Sequence, residues 1–247
     1  MRKIFAFVFI FMMASSVQAA EVSLFEQANA KYRAGDFKTA AQLYEKIVNT
    51  KQATAATYYN LGNATLRLGN KGRALLFYRR AQAVTPRDTD IDWNIHILKA
   101  ALPDRTDEDA PNVLNLWLRK ALSYFTLNET ALIFFSFLAV LFIFSLLGFI
   151  SSVVRSRLGF LNALVLIGLV ISTVFFYLKW QDAQEPGLVV LDREVFARNG
   201  PSLDESKAFL LHEGAEGKVA DESKDWYYVA LANKNAGWVP KDSCEVV

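Results

Sequence analysis

The chain holds one cysteine, Cys244, and two histidines, His96 and His212, among its 247 residues. A single thiol excludes an internal disulfide, and so few soft ligands exclude a multi-cysteine zinc site. Proline is scarce, with six residues, and glycine contributes only 12, which excludes collagen-like and Pro/Gly-rich low-complexity chains. The formal charge is only +2, and the basic residues are interspersed with acids, so the clustered positive footprint of a nucleic-acid binder is missing. No nucleophile, base and orienting acid recur at recognisable spacing, and there is no phosphate-cradling loop or metal-ligand set. An enzyme is therefore not expected, and no cofactor or metal is implied.

Apolar residues are abundant: 53% of the chain is hydrophobic and 21% charged, which is too apolar for disorder and unusual for a wholly soluble protein. Residues 1–19 combine a basic start at Arg2 and Lys3, an apolar run from Ile4 to Ala14 and a small-residue end, the pattern of a secretory signal peptide cut after Ala19. Two charge-free stretches follow much later, Thr130 to Val154 and Leu158 to Leu178. Each is long enough to cross a hydrocarbon core of about 30 Å as a helix. The expected spans are 129–151 and 158–178, joined by a loop at 152–157 whose Arg155 and Arg157 place it in the cytoplasm. Both flanking segments then face the periplasm of a Gram-negative cell. Neither span carries an ionisable side chain, so transport and proton relay are not indicated and the lipid bilayer is the partner of these helices.

Ahead of the spans, the chain matches itself at an offset of 34. Asn29 aligns with Asn63, Arg33 with Arg67, Gly35 with Gly69, Ala40 with Ala74 and Tyr44 with Tyr78. This period, with small, glycine and aromatic positions in step, is the signature of a tetratricopeptide repeat. Helices are expected at about 23–34, 38–49, 53–68 and 71–84, with a fifth at 88–101 covering the open end, so residues 20–102 form two repeats and a cap. That is near the minimum for a stable array, which implies support from a partner, a second copy or the membrane surface. The resemblance implies an inner surface that binds an extended peptide. Asn29, Asn60, Asn63 and Asn94 are candidates for an amide-lined groove, with Arg33 and Arg67 adding charge; the alternative role for the amides is capping or repeat stacking. Phe25 stands where a carboxylate-gripping lysine would sit in some relatives.

Residues 103–112 are acidic, polar and bounded by Pro103 and Pro111, as in a solvated linker. Residues 113–126 place Leu114, Trp117, Leu118, Ala121, Leu122 and Phe125 at helical spacing, an amphipathic helix suited to the headgroup layer. Beyond the spans, residues 187–247 break into short apolar strands separated by turn residues, which reads as a small β-barrel. The runs Ala197-Arg198-Asn199-Gly200-Pro201-Ser202, Asp225-Trp226-Tyr227 and Gly237-Trp238-Val239-Pro240 resemble a bacterial SH3-like domain. By analogy Trp226, Tyr228, Trp238 and Pro240 line a ligand surface. Residues 21–110 carry 13 basic and 11 acidic side chains, a net of +2, and residues 187–247 carry 7 and 11, a net of −4. Opposite signs suit mutual attraction or different partners.

The fold class is thus a multidomain membrane protein: an all-α tetratricopeptide domain, two transmembrane helices and a C-terminal all-β SH3-like barrel. This order resembles the Bacteroides aerotolerance E (BatE) family. The resemblance implies an inner-membrane scaffold or adaptor, with both soluble domains periplasmic. Its partners would be von Willebrand factor A domain Bat proteins and a BatD-like protein, and indirectly a MoxR-type ATPase, in a stress-tolerance complex. The competing reading is a cell-wall binder whose SH3-like domain contacts peptidoglycan.

Overall fold

The computed structural model describes residues 24–50, 53–104, 113–150 and 152–247. The leader expected at 1–19 and most of the linker lie outside them. The described chain divides into two units: one joins the residues up to Asp104 with Gly187–Val247, and the other holds the helices between.

The first unit begins with five helices: α1 (24–33), α2 (Phe37–Asn49), α3 (Ala55–Arg67), α4 (Lys71–Val84) and α5 (Thr89–Ala100). Each boundary has a local cause. Asp36, Thr54 and Asp88 accept backbone N–H bonds as N-caps of α2, α3 and α5. Gly35 and Gly69 adopt φ of +79° and +85° to turn one helix into the next, a conformation open to glycine. Pro86 follows the end of α4. Ala28, Ala40, Ala64 and Ala74 are fully buried where helices cross, and Tyr44 and Tyr78 fill the layers between them. A side chain at Gly62 would meet the Tyr78 ring at 2.7 Å, so the small residue there sets the helix separation.

The same unit ends in seven strands: β1 (Gly187–Val190), β2 (Glu194–Arg198), β3 (Lys207–His212), β4 (Glu216–Ser223), β5 (Trp226–Ala230), β6 (Ala236–Pro240) and β7 (Cys244–Val246). They form one antiparallel sheet in the order β3-β2-β6-β5-β4-β1-β7. A closed barrel was expected; the sheet is open, with β3 and β7 at its edges. Both edges are guarded in place of closure. The β2–β3 ladder is irregular at Ala197/Arg198, and the N–H of His212 on β3 donates to Asp104 at 2.7 Å. On β7, which has only three residues, Arg80 donates to the Val246 carbonyl at 2.6 Å.

Strand β1 joins the two halves. Leu188 and Val190 point into the core of the sheet with Val195, Ala197, Leu211, Val229 and Val239, whereas Val189 points the other way into the helical core with Leu75, Tyr78, Ala81 and Ile95. All three are at most 1% exposed. Burial on both faces explains the unbroken apolar run Leu188-Val189-Val190, since a strand with one wet face alternates. At roughly 1.5 to 3 kcal/mol per fully buried aliphatic side chain, Val189 alone is a substantial link.

The second unit holds α6 (Val113–Tyr124), α7 (Leu127–Ile150) and α8 (Ser152–Gln184). Thr126 and Glu129 form a capping box at the start of α7: the Glu129 N–H donates to Thr126 Oγ1 at 3.2 Å and the Thr126 N–H to Glu129 Oε2 at 2.9 Å. Helices α7 and α8 are long and apolar enough to cross a membrane, with mean hydropathy over 18 residues of 2.8 within Leu127–Ile150 and 2.3 within Leu158–Gln184. They pack antiparallel: Phe134 stacks on Phe176 with ring centroids 5.9 Å apart, and Phe137 fills the space over Gly168. Lys179 Nζ donates to the Leu122 carbonyl at 2.9 Å, satisfying an orphan group near the end of α6. The loop expected at 152–157 is helical, because no glycine or proline interrupts Ser152–Leu158 and α8 runs through it.

Gly72 tests the joint between helices and sheet. Its N–H donates to Glu213 Oε1 at 2.7 Å, and a Cβ there would lie 2.7 Å from the Val190 carbonyl oxygen. Backbone cannot yield as a side chain can, so Gly72→Ala should destabilise the chain by about 1–3 kcal/mol despite alanine's better helix propensity. A lowered midpoint in chemical unfolding of the full-length protein is the expected result.

Candidate functional site

The predicted groove residues sit on the first helix of each helical pair and on α5. The 34-residue repeat is visible as repeated chemistry: Tyr44 donates its hydroxyl to Asn29 Oδ1 at 2.5 Å, and Tyr78 donates to Asn63 Oδ1 at 2.7 Å. Burial drives both phenols up, Tyr44 to about 12 against a smaller opposing effect from Asn60, and Tyr78 higher still, so both stay protonated donors. Asn29 Oδ1 also accepts from Asn60 Nδ2 at 3.1 Å, and Asn94 Nδ2 donates to the Tyr59 hydroxyl at 2.8 Å. The amide oxygens of Asn29 and Asn63 are thus committed to the fold. Among the described residues no acceptor takes their Nδ2 hydrogens, so these half-buried amides present donors. Arg33 is exposed, and the Arg67 guanidinium lies 4.6 Å from the centroid of the Phe37 ring.

On the sheet, the four aromatic and proline positions do come together. Tyr228 pairs across strands with Trp238, and Trp226 with Pro240. The Tyr228 and Trp238 rings are 5.2 Å apart and half-buried, on the face opposite Val229 and Val239. Trp226 departs from the expectation of an accessible surface residue: it shares the face of Tyr228 and Trp238 but is 8% exposed, so it offers little area.

A third constellation escaped the sequence reading: the joint between the helical and β halves. Arg79 grips Glu216 with two bonds, Nε to Oε1 at 2.5 Å and Nη2 to Oε2 at 3.0 Å, and Lys99 Nζ reaches the same carboxylate at 2.6 Å. Arg80 Nη2 pairs with Glu245 at 2.8 Å. Asp104 accepts from the His212 N–H and lies 2.6 Å from His212 Nδ1. Leu102 covers Gly214, whose φ of +84° favours glycine. The helical half supplies most of the cations and the β half most of the anions, in line with their opposite net charges. Burial pushes the Glu216 carboxyl up, but the hydrogen bonds and charge of Arg79, with the charge of Lys99, outweigh it and hold it below the usual carboxylate range. Cys244 is buried and its thiol pushed up to about 12 by burial first and by Asp242 and Asp192, so it is not a reactive thiolate.

Among the described residues no group of three or more His, Cys, Asp or Glu side chains is placed to hold a metal ion. No protein-family model matches the chain, and no curated protein matches it.

The Glu216 cluster gives the joint a pH dependence. A depressed carboxyl stabilises the fold above the unfolded value of about 4.5, and the contribution fades as pH falls through the lower folded value. Glu216→Gln should cost about 2 kcal/mol near neutral pH, the scale of a charged hydrogen-bonded group. It should also flatten the loss of stability on acidification. Unfolding midpoints of both proteins measured from pH 7 downward, in roughly unit steps, check it.

Proposed function

We propose that the chain is a non-catalytic inner-membrane scaffold or adaptor whose two soluble halves present docking surfaces on the periplasmic side. In this reading α7 and α8 cross the bilayer as a hairpin. The helical half is a pair of tetratricopeptide repeats with a capping helix, and the β half is an SH3-like domain. The observation that carries the proposal is that chain segments on both sides of the hairpin build one compact unit. A body assembled from both ends of a membrane hairpin lies on one side of the bilayer, and the signal-peptide pattern at 1–19 directs that side outward.

Two surfaces remain available on that unit. The Asn29 and Asn63 amides, with Arg33, offer donors for the carbonyls of an extended peptide. The Tyr228–Trp238 row offers aromatic area for a second contact. The sheet docks through α4 and the end of α5, so it leaves the donor amides of α1 and α3 uncovered. Two modest contacts in one chain strengthen each other through effective concentration. The resemblance to the BatE family names the complex: von Willebrand factor A domain proteins and a BatD-like protein at the membrane, with a MoxR-type ATPase acting from the cytoplasm.

Single cysteines at Asn49 and Lys224, both exposed, one in each half, test the topology. Both should react with an impermeant maleimide once the outer membrane is opened, and labelling of the two from opposite sides would overturn the proposal. A photoreactive residue at exposed Arg33 should capture a von Willebrand factor A domain membrane protein. Asn63→Ala is the poorer probe, because it strands the buried Tyr78 hydroxyl and should cost about 1–3 kcal/mol of stability, read as a lower unfolding midpoint.

A further inference from the structure

In both helix pairs the first helix receives the second through the same three positions. On α1, Phe25 lies with its ring 5.9 Å from that of Tyr44, Ala28 is fully buried in the same core, and Asn29 accepts the Tyr44 hydroxyl hydrogen. On α3, Tyr59 lies 5.8 Å from Tyr78, Gly62 sits against that ring, and Asn63 accepts its hydroxyl hydrogen. One repeat further on, the 34-residue offset places Trp93, His96 and Ile97 of α5 at these positions. Among the described residues this face is left open: Trp93 is 65% exposed and Ile97 50%, and a hollow beside the indole is lined by Thr89, Asp92, Trp93 and His96. Past α5 the sequence leaves the repeat. The positions of Gly35 and Gly69 pass to Pro103, those of Ala40 and Ala74 to Glu108, and those of Tyr44 and Tyr78 to Asn112. Helix α5 thus carries the receiving face of a helix pair, and the sequence after it lacks the residues by which α2 and α4 fit such a face.

We propose that this face of α5 docks an amphipathic helix of a partner protein, one that carries lysine or arginine beside its apolar stripe. A helix laid on apolar side chains keeps its backbone groups satisfied internally, whereas an extended segment there would bury unpaired N–H and C=O groups. The charge of the occupant follows from the rim of the face. Asp90 and Asp92 lie exposed in the first turn of α5 and flank Trp93, and Asp92 also accepts a hydrogen bond from Gln82 Nε2 at 2.6 Å. Lys99, the only lysine or arginine of α5, is held by Glu216 at 2.6 Å and does not offset them. A cationic side chain reaching over the indole toward Asp90 gains an ion pair and a cation–π contact together. His96 stands where Ala28 and Gly62 admit a tyrosine ring, so the incoming helix presents a small side chain such as alanine at that point. This surface is separate from the Asn29 and Asn63 amides and from the Tyr228–Trp238 row, and its occupation does not depend on theirs.

The test uses the full chain in phosphatidylcholine nanodiscs, with empty nanodiscs as the blank. The probe is a fluorescent synthetic peptide of about 18 residues, long enough to hold a helix alone, with leucine and alanine on one face and lysine on the other. A second peptide replaces every lysine by glutamate. The lysine helix should bind the protein, and Trp93→Ala should weaken binding about tenfold, as for a central interface aromatic. Asp90→Asn combined with Asp92→Asn should weaken it several-fold, and the glutamate helix should bind no better than the lysine helix binds that double variant. Failure of the lysine helix to bind, equal binding of the two peptides, or binding untouched by Trp93→Ala or by the double variant overturns the proposal. A chain with Ile97→Cys and Cys244→Ala that oxidises to a disulfide dimer in its own membrane more readily than one with the cysteine at exposed Asn49 would assign the face to a second copy, and also overturns it.

Discussion

Strand β1 is buried on both faces, and the rest of the soluble unit depends on that constraint. Val189 fills the helical core, while Leu188 and Val190, one residue away on either side, fill the sheet. A strand in this position cannot slip by one residue, because a slip would exchange every side chain between the two cores. The register of β1 in turn positions β4 and β7, and with them Glu216 and Glu245, opposite Arg79 and Arg80 on α4. The polar grip around the joint therefore follows from apolar packing at its centre. Burying one member of such an ion pair without the other would be costly, so the charges add selectivity for this one docking more than they add net stability.

A short array of helix pairs exposes apolar surface at its end and is marginal by itself. Here the missing support comes from within the chain. Helix α5 closes one side of α4, and the sheet closes another through Val189 and Leu191. The sheet gains as much as it gives. Its β7 edge is held by Arg80 and the end of its β3 edge by Asp104, so backbone groups that would invite pairing with other chains are engaged. Each half thus repairs the other's structural weakness.

The helices and strands were legible because their causes are local: the 34-residue offset, Gly35 and Gly69 at the turns, and Pro86 after α4. Even the Tyr44–Asn29 and Tyr78–Asn63 bonds are implicit in the repeat, although spacing alone did not reveal that the tyrosines had claimed the amide oxygens. The sequence misled where the cause is remote. Trp226 reads as a surface aromatic, yet the fold leaves it 8% exposed. The seventh strand is too short to announce itself. The joint was hidden because Arg79 meets Glu216, 137 residues away, and no periodicity links them. Two signals did point toward it: the unbroken apolar run at 188–190, unnecessary in a half-wet strand, and the opposite net charges of the segments flanking α7 and α8.

The discontinuous soluble unit also dictates an order of assembly. During synthesis the residues of α1 to α5 are complete before β1 exists, so Val189 can fill its place in the helical core only after α7, α8 and the last sixty or so residues have been made. The final closure joins segments more than a hundred residues apart, the kind of non-local step that is slow and exposes apolar surface meanwhile. A chain halted after α8 would lack Val189 in its helical core and the carboxylates that pair with Arg79 and Arg80.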